Sequence, residues 1–239
     1  MAAPSQSTKT LIRPLLPKER AQRKWAVSVN GATSADVSSV DIAAPQFGVL
    51  RYGMTPGGYD GWSFSEAGGG GSAIVPFCLD GERLLIGTIR EVRPYLGGEV
   101  NNVPRGFIDP GEDHCQAARR ELAEETGFDC DNICLLPGDP VNCNSTFFET
   151  AAPHLGIRFF AAEVPAALLE RHDAIMRLRS DIIANDAASR SRRQQEGIAA
   201  LEFTDWTAAT HYRDMFTLAA IARLLAWLAR SGRYGQTSS

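Results

Sequence analysis

The 239-residue chain predicts an α/β fold, a mixed β-sheet with helices on its faces. Three features carry that expectation. Two apolar runs, AIVPFCLD and ERLLIGTIREV, flank Gly81 in the pattern of a β-hairpin. Residues 113–126 have the composition and end signals of a helix. The chain closes on a second helix, from about Asp214 to Arg230, with apolar residues at 218, 221, 224, 225 and 228. Strands and helices do not alternate regularly, so a mixed sheet is expected rather than a purely parallel one.

Taken in order, the first 24 residues hold six Lys or Arg and one acid, Glu19. Pro4, Pro14 and Pro17 interrupt any amphipathic transit helix, so a solvated tail is expected. Trp25 to Val29 and Phe47 to Arg51 read as short strands. GMTPGGYDGWSFSEAGGGGS (53–72) is expected to be a flexible connection, since it lacks the Gly-Lys-Ser/Thr ending of a phosphate loop. After the hairpin and the first helix, GIRFFAAEV (156–164) is a strand between Gly156 and Pro165. Residues 166–185 show helical spacing in Leu168, Leu169, Ile175, Met176 and Leu178, so a helix is expected there. A polar loop, NDAASRSRRQQEG, leads into a last strand, IAALEFTDW. The expected organisation is a polar tail and small β-rich unit over 1–72, a main domain over 73–230 and a tail over 231–239.

Composition narrows the function. The net charge of −4 argues against a general nucleic-acid binder, which carries a basic balance. No apolar run approaches the roughly 20 residues of a membrane-spanning helix. Five scattered cysteines suit reduced thiols, so a cytoplasmic location is expected. Cys130, Cys134 and Cys143 with His154 lack the paired spacing of zinc ligands.

The most informative stretch is GFIDPGEDHCQAARRELAEETGF, residues 106–128. Asp113 with Gln116 resembles a capping box, and Gly127 fits the helix stop. Cys115, Ala118 and Leu122 share a stripe that can pack on the sheet. Glu121, Glu124 and Glu125 stand at i, i+3 and i+4, which puts their carboxylates on one neighbouring face. Two such charges about 6 Å apart repel by roughly 0.7 kcal/mol in water and nearly 3 kcal/mol at an effective dielectric of 20. A solvated acidic face tolerates that repulsion; a cleft needs a cation. Hard oxygen donors without histidine pairs favour Mg²⁺, with Mn²⁺ as a substitute, over zinc.

The spacing decides between those two readings. Gly106, five residues, Glu112, seven residues, then Arg120-Glu121-Leu122-Ala123-Glu124-Glu125-Thr126-Gly127-Phe128 resembles the Nudix box at every specified position. Chance agreement of seven fixed residue types is on the order of one in 10⁸ per start position. The resemblance implies an α/β/α Nudix sandwich and a loop–helix–loop that binds divalent metal to hydrolyse a nucleoside diphosphate linked to another group. It implies Glu121, Glu124 and Glu125 as metal ligands, with the carbonyl of Arg105 as a further one. Glu112 then orders the loop or reaches an outer metal, and Arg120 orients the acidic side chains. Gly106 and Gly127 are structural members of the motif.

The flanking run IREVRPYLGGEVNNVPRGFIDPGE resembles the segment before the box in ADP-ribose and related ADP-sugar pyrophosphatases. By that resemblance Arg93 touches substrate, with Arg90 a second candidate; guanidinium forks suit a diphosphate. QQEGIAALEFTDW and the closing helix resemble the end of the same subfamily, where a loop glutamate acts as catalytic base or extra ligand. Glu196 occupies that place, and a box glutamate (Glu121 or Glu125) is the alternative base. Arg190, Arg192 and Arg193 share the loop. Two departures leave the leaving group open: Pro137 and Pro140 stand where the subfamily carries a proline nearer Asn144, and the insertion before Glu196 is long. The subfamily also implies a homodimer and a base-stacking aromatic, for which Trp25, Phe47 and Trp62 are available. The expected activity is hydrolysis of ADP-ribose or a similar nucleoside diphosphate sugar, with no nucleic-acid or membrane partner. The rival readings are hydrolysis of a dinucleotide cofactor or oxidised triphosphate, and a Nudix-like nucleotide sensor without turnover.

Overall fold

A computed structural model describes residues 27–29, 32–34, 40–44, 48–54, 60–66, 70–93, 98–141, 156–173, 175–184, 190–191, 193–194 and 197–234. The described strands belong to two units. In the first, β1 (Val27–Val29) pairs antiparallel with β2 (Ala32–Ser34). Separately, β3 (Val40–Ala44), β4 (Gly48–Met54) and β5 (Asp60–Glu66) form an antiparallel three-stranded sheet. Residues 60–66, expected to be part of a flexible connection, are therefore a strand. Alternating Trp62 and Phe64 provide the β pattern that the surrounding glycines obscure, and their backbones pair with Tyr52 and Leu50.

Among the described residues, the second unit is built on nine strands. β6 (Gly71–Asp80) and β7 (Arg83–Arg93) form the expected hairpin. β8 (Gly98–Asn102) lies on β7, and β9 (Arg105–Phe107) lies on β6. β10 (Ile133–Leu135), β11 (Arg158–Glu163), β12 (Leu169–His172), β13 (Ile175–Leu178) and β14 (Glu202–Asp205) complete the order β10-β11-β6-β7-β14-β13-β12. β11 runs parallel to β6 while the other pairs are antiparallel, so the sheet is mixed.

Residues 166–178 overturn the expected helix there. They form a 3-10 turn (Ala166–Leu168) and the β12–β13 hairpin, reversed at Asp173 with φ 53°. The same apolar residues satisfy either period: Leu169 pairs with Leu178, and Met176 packs on the core beside them.

Among the described residues the unit holds α1 (His114–Thr126), the short α2 (Trp206–Ala209) and α3 (Met215–Arg230), and residues 190–191 and 193–194, expected in a polar loop, are helical as well. β6 is buried from Gly71 through Cys78, because helices cover both of its faces. Ile74 and Cys78 share a core with Ala118 and Leu122 of α1, together with Leu85, Ile89 and Phe203. On the opposite face, Phe77 meets Trp227 of α3 edge-on at 6.2 Å, and Phe159 stacks with Phe216 at 6.3 Å. The result is an α/β/α sandwich. Cys115, expected on the buried stripe of α1, is exposed. The turn that carries it is nonetheless held to the sheet, since the Ser72 hydroxyl of β6 donates to the His114 carbonyl at 2.6 Å.

Candidate active site

The acidic helix begins as its sequence dictates. Asp113 accepts from the Gln116 N–H at 2.8 Å, and the Gln116 side chain accepts from the Asp113 N–H at 2.8 Å. At the other end Gly127 adopts the left-handed conformation (φ 74°) and donates to the Ala123 carbonyl. These two caps fix which way each turn of α1 faces. Glu121 and Glu125 are buried, at 3% and 8% exposure, while Glu124 is more open.

Arg120 ties the cluster together. Its Nη1 donates to Glu121 Oε1 at 2.6 Å and to Glu124 Oε2 at 3.0 Å. Its Nε and Nη2 donate to the two oxygens of Glu112, at 2.8 and 3.0 Å, and Nη2 also donates to the Phe107 carbonyl. One guanidinium therefore joins the loop to the helix by charge-assisted bonds. Glu112 in turn accepts from the Asp109 N–H at 3.1 Å, which closes the loop on itself. The bonds from Arg120 hold the Glu112 carboxyl below the usual carboxylate range, with the Asp109 N–H adding to the effect and partial burial opposing it.

β9 delivers the other side of the cluster. The Arg105 N–H donates to Glu125 Oε2 at 3.1 Å. Gly106 follows, and the Glu121 carboxylate lies directly against its backbone. The Arg105 side chain turns away to Asp214, which caps α3. Asp214 and Thr217 carry no expectation from the sequence beyond the start of a helix. The Asp-x-x-Thr spacing at that start signals a cap, and nothing local to it points to Arg105.

Among the described residues, no three His, Cys, Asp or Glu side chains form a ready-made ion site. The donor chemistry nevertheless fits a hard divalent ion. Carboxylate oxygens of Glu121 and Glu124 converge on a single cationic atom, Arg120 Nη1, and a third carboxylate, Glu125, hangs from the adjoining strand.

The remaining expected residues lie elsewhere. Arg90 is on the face of β7 opposite Ile89, so it points away from the α1 side of the sheet. It lies 3.7 Å from Glu99 and 3.9 Å from Glu202, which also accepts from Arg177. Arg93 ends β7 opposite Gly98, two residues beyond Glu91 in unbroken register; its side chain lies outside the described residues. Glu196 and Arg192 also lie outside them, as do Trp25, Phe47, Cys143 and His154, and Trp62 is described in backbone only. The flanks of Glu196 are described. Arg193 donates to the carbonyls of Glu124 and Ala184, each at 3.4 Å, and Ala184 donates to the Gly127 carbonyl. Beyond Glu196, Ile198 bridges Glu91 and Ala199 donates to the Arg90 carbonyl. Arg193 is thus tied to the C-terminal end of α1, and Ile198 and Ala199 to β7.

Residues 71–175 match the sequence model of the NUDIX domain. Among solved structures, an ADP compounds hydrolase shares 16% identity, with 89% of this chain and 97% of that one covered and a TM-score of 0.46. A NUDIX hydrolase from Listeria monocytogenes shares 13% identity over 70% of this chain and 99% of its own, with a TM-score of 0.45. The NUDIX domain of Shewanella oneidensis NrtR, complexed with ADP ribose, shares 16% over 69% and 90%, at 0.44. The matched stretch is less than half of the chain and contains the complete box, so residues 71–175 are similar to the NUDIX domain.

Proposed function

We propose that the protein is a Mg²⁺-dependent pyrophosphatase that hydrolyses ADP-ribose or a related nucleoside diphosphate sugar to a nucleoside monophosphate and a sugar phosphate. The observation that carries the reading is the convergence of Glu121 and Glu124 on one cationic atom, with Glu125 held alongside by the Arg105 N–H. Glu121, Glu124 and Glu125 would hold Mg²⁺ or Mn²⁺, with the Arg105 carbonyl as a further donor. When bound, the ion supplies neutralisation of the diphosphate and acidification of a water. Arg93 steadies the diphosphate, a role that the subfamily resemblance supports. Glu196 takes a proton from the attacking water; the new P–O bond forms as the bridging P–O bond breaks, and the leaving phosphate carries away the electron pair. The contacts of Arg193 with α1 and of Ile198 with Glu91, on either side of Glu196 in the chain, support this role.

The test is a Mg²⁺ assay across nucleoside diphosphate sugars, dinucleotides and triphosphates, with product identification, repeated on Glu125→Gln and Glu196→Gln. Release of AMP and ribose 5-phosphate from ADP-ribose, lost by at least about a hundredfold in Glu125→Gln, supports the proposal. Faster cleavage of triphosphates or dinucleotides moves the substrate class. Tight binding without turnover of any compound replaces the enzyme with a sensor.

A further inference from the structure

Arg105 occupies the position between Pro104 and the box glycine, and its two ends serve different partners. The backbone N–H donates to Glu125 Oε2 at 3.1 Å. The guanidinium leaves in another direction, with Nη1 donating to Asp214 Oδ1 at 2.6 Å and Oδ2 at 2.7 Å, and the group lies over the Phe216 ring at 4.8 Å. Both side chains of the pair are largely shielded from water, so the charge-assisted bonds are little screened.

Asp214 is itself immobilised. Its Oδ2 accepts from the Thr217 N–H at 2.8 Å and from the Thr217 hydroxyl at 2.7 Å, so it is the N-cap of α3. The fully buried Thr217 hydroxyl oxygen accepts from the Val103 N–H at 3.0 Å. The Pro104 carbonyl accepts from Ile74 in β6 at 2.9 Å. Three consecutive residues, Val103 to Arg105, are therefore pinned to α3 and to β6, and the last of them holds Glu125. A helix on one face of the sheet thereby fixes a carboxylate that belongs to the helix on the other face.

We propose that Asp214 is a positioning residue for the acidic cluster: through Arg105 it fixes the backbone N–H that sets the place of Glu125. This rests on the reading of Glu125 as a metal ligand. The two duties of Asp214 separate by substitution. Asn caps a helix as well as Asp, but it offers a guanidinium no charge and only one oxygen.

The experiment measures Mn²⁺ binding by calorimetry, with kcat, KM and the melting temperature in chelator, for wild type, Asp214→Asn, Arg105→Met, the double variant and Thr217→Val. Asp214→Asn is expected to melt within a few degrees of wild type, with Mn²⁺ affinity and kcat each about tenfold lower and KM unchanged. The double variant is expected to be no worse than the poorer single one, because both break the same link. Thr217→Val, which loosens the cap and strands the Val103 N–H but leaves the Arg105 pair, is expected to lower the melting temperature and to weaken Mn²⁺ binding by less than Asp214→Asn does. Should Asp214→Asn fail to fold, Arg105→Met carries the same comparison. Wild-type affinity in both single variants, or additive losses in the double, overturns the proposal. If wild type itself binds no Mn²⁺, the functional reading falls and this inference falls with it.

Discussion

The Glu121 carboxylate lies against the backbone of Gly106 so closely that a methyl group there would sit 1.9 Å from Oε1 and 2.3 Å from Cδ. The box glycine is thus a matter of room: its hydrogen is what lets a buried acid rest on the strand. Gly106→Ala must push Glu121 off Arg120 or shift β9. Overpacking of this kind costs about 1–3 kcal/mol. Denaturant titration is expected to show that loss, and Mn²⁺ affinity is expected to fall with it. Unchanged values in both would remove the steric account of this glycine.

Arg120 supplies positive charge to three of the box carboxylates, Glu112, Glu121 and Glu124, and only 20% of its side chain is exposed. Replacing it with Gln is expected to cost about 3 kcal/mol without metal, since Glu121 stays buried beside Glu124. Mg²⁺ then has more to offset, so the rise in melting temperature on adding Mg²⁺ is expected to be larger in Arg120→Gln than in wild type. Equal rises would show that Arg120 does not neutralise the cluster.

Glu112 gives a pH signature. Its carboxyl is held low by Arg120, so the stability it contributes is fully present above the ordinary glutamate range, near pH 4.5, and is lost as pH falls through the depressed value. Unfolding free energy measured from pH 6 down to about 3 is expected to decline less steeply in Glu112→Gln than in wild type. Parallel curves would contradict the assignment.

Cys78 gives the opposite signature at alkaline pH. Burial, followed by the charges of Asp80 and Glu163, raises its thiol from 9.0 to about 11. The unfolded chain therefore releases this proton first, and stability is lost as pH rises from about 9 to about 11. Pulsed alkylation read by mass spectrometry is expected to label the exposed Cys115 in the native protein and Cys78 only on unfolding. Native labelling of Cys78 at a comparable rate is the contrary result.

Much of the site was legible because its determinants are local. The Asp113–Gln116 box, the Gly127 stop and the glutamate spacing each act within one helix, and the helix forms between those caps. The β6–β7 hairpin and α3 are equally self-contained. What the sequence left ambiguous depends on partners far along the chain. Leu168, Leu169, Ile175, Met176 and Leu178 fit a helix or two strands, and only pairing with β14 selects the strands. The placement of Arg90 away from the α1 side follows from strand parity, which a one-residue slip would reverse. The Arg105–Asp214 bond spans 109 positions, beyond any local pattern.

The parallel pairing of β6 with β11 also dictates an order of events during synthesis. β7 follows β6 after two residues, but the other edge of β6 waits for Arg158–Glu163, with Ile74 opposite Phe160. Until that segment leaves the ribosome, a strand made for burial on every side presents open backbone and apolar side chains to its surroundings. Nascent chains ending before residue 158 are therefore the species most exposed to aggregation, and the ones on which a chaperone would act.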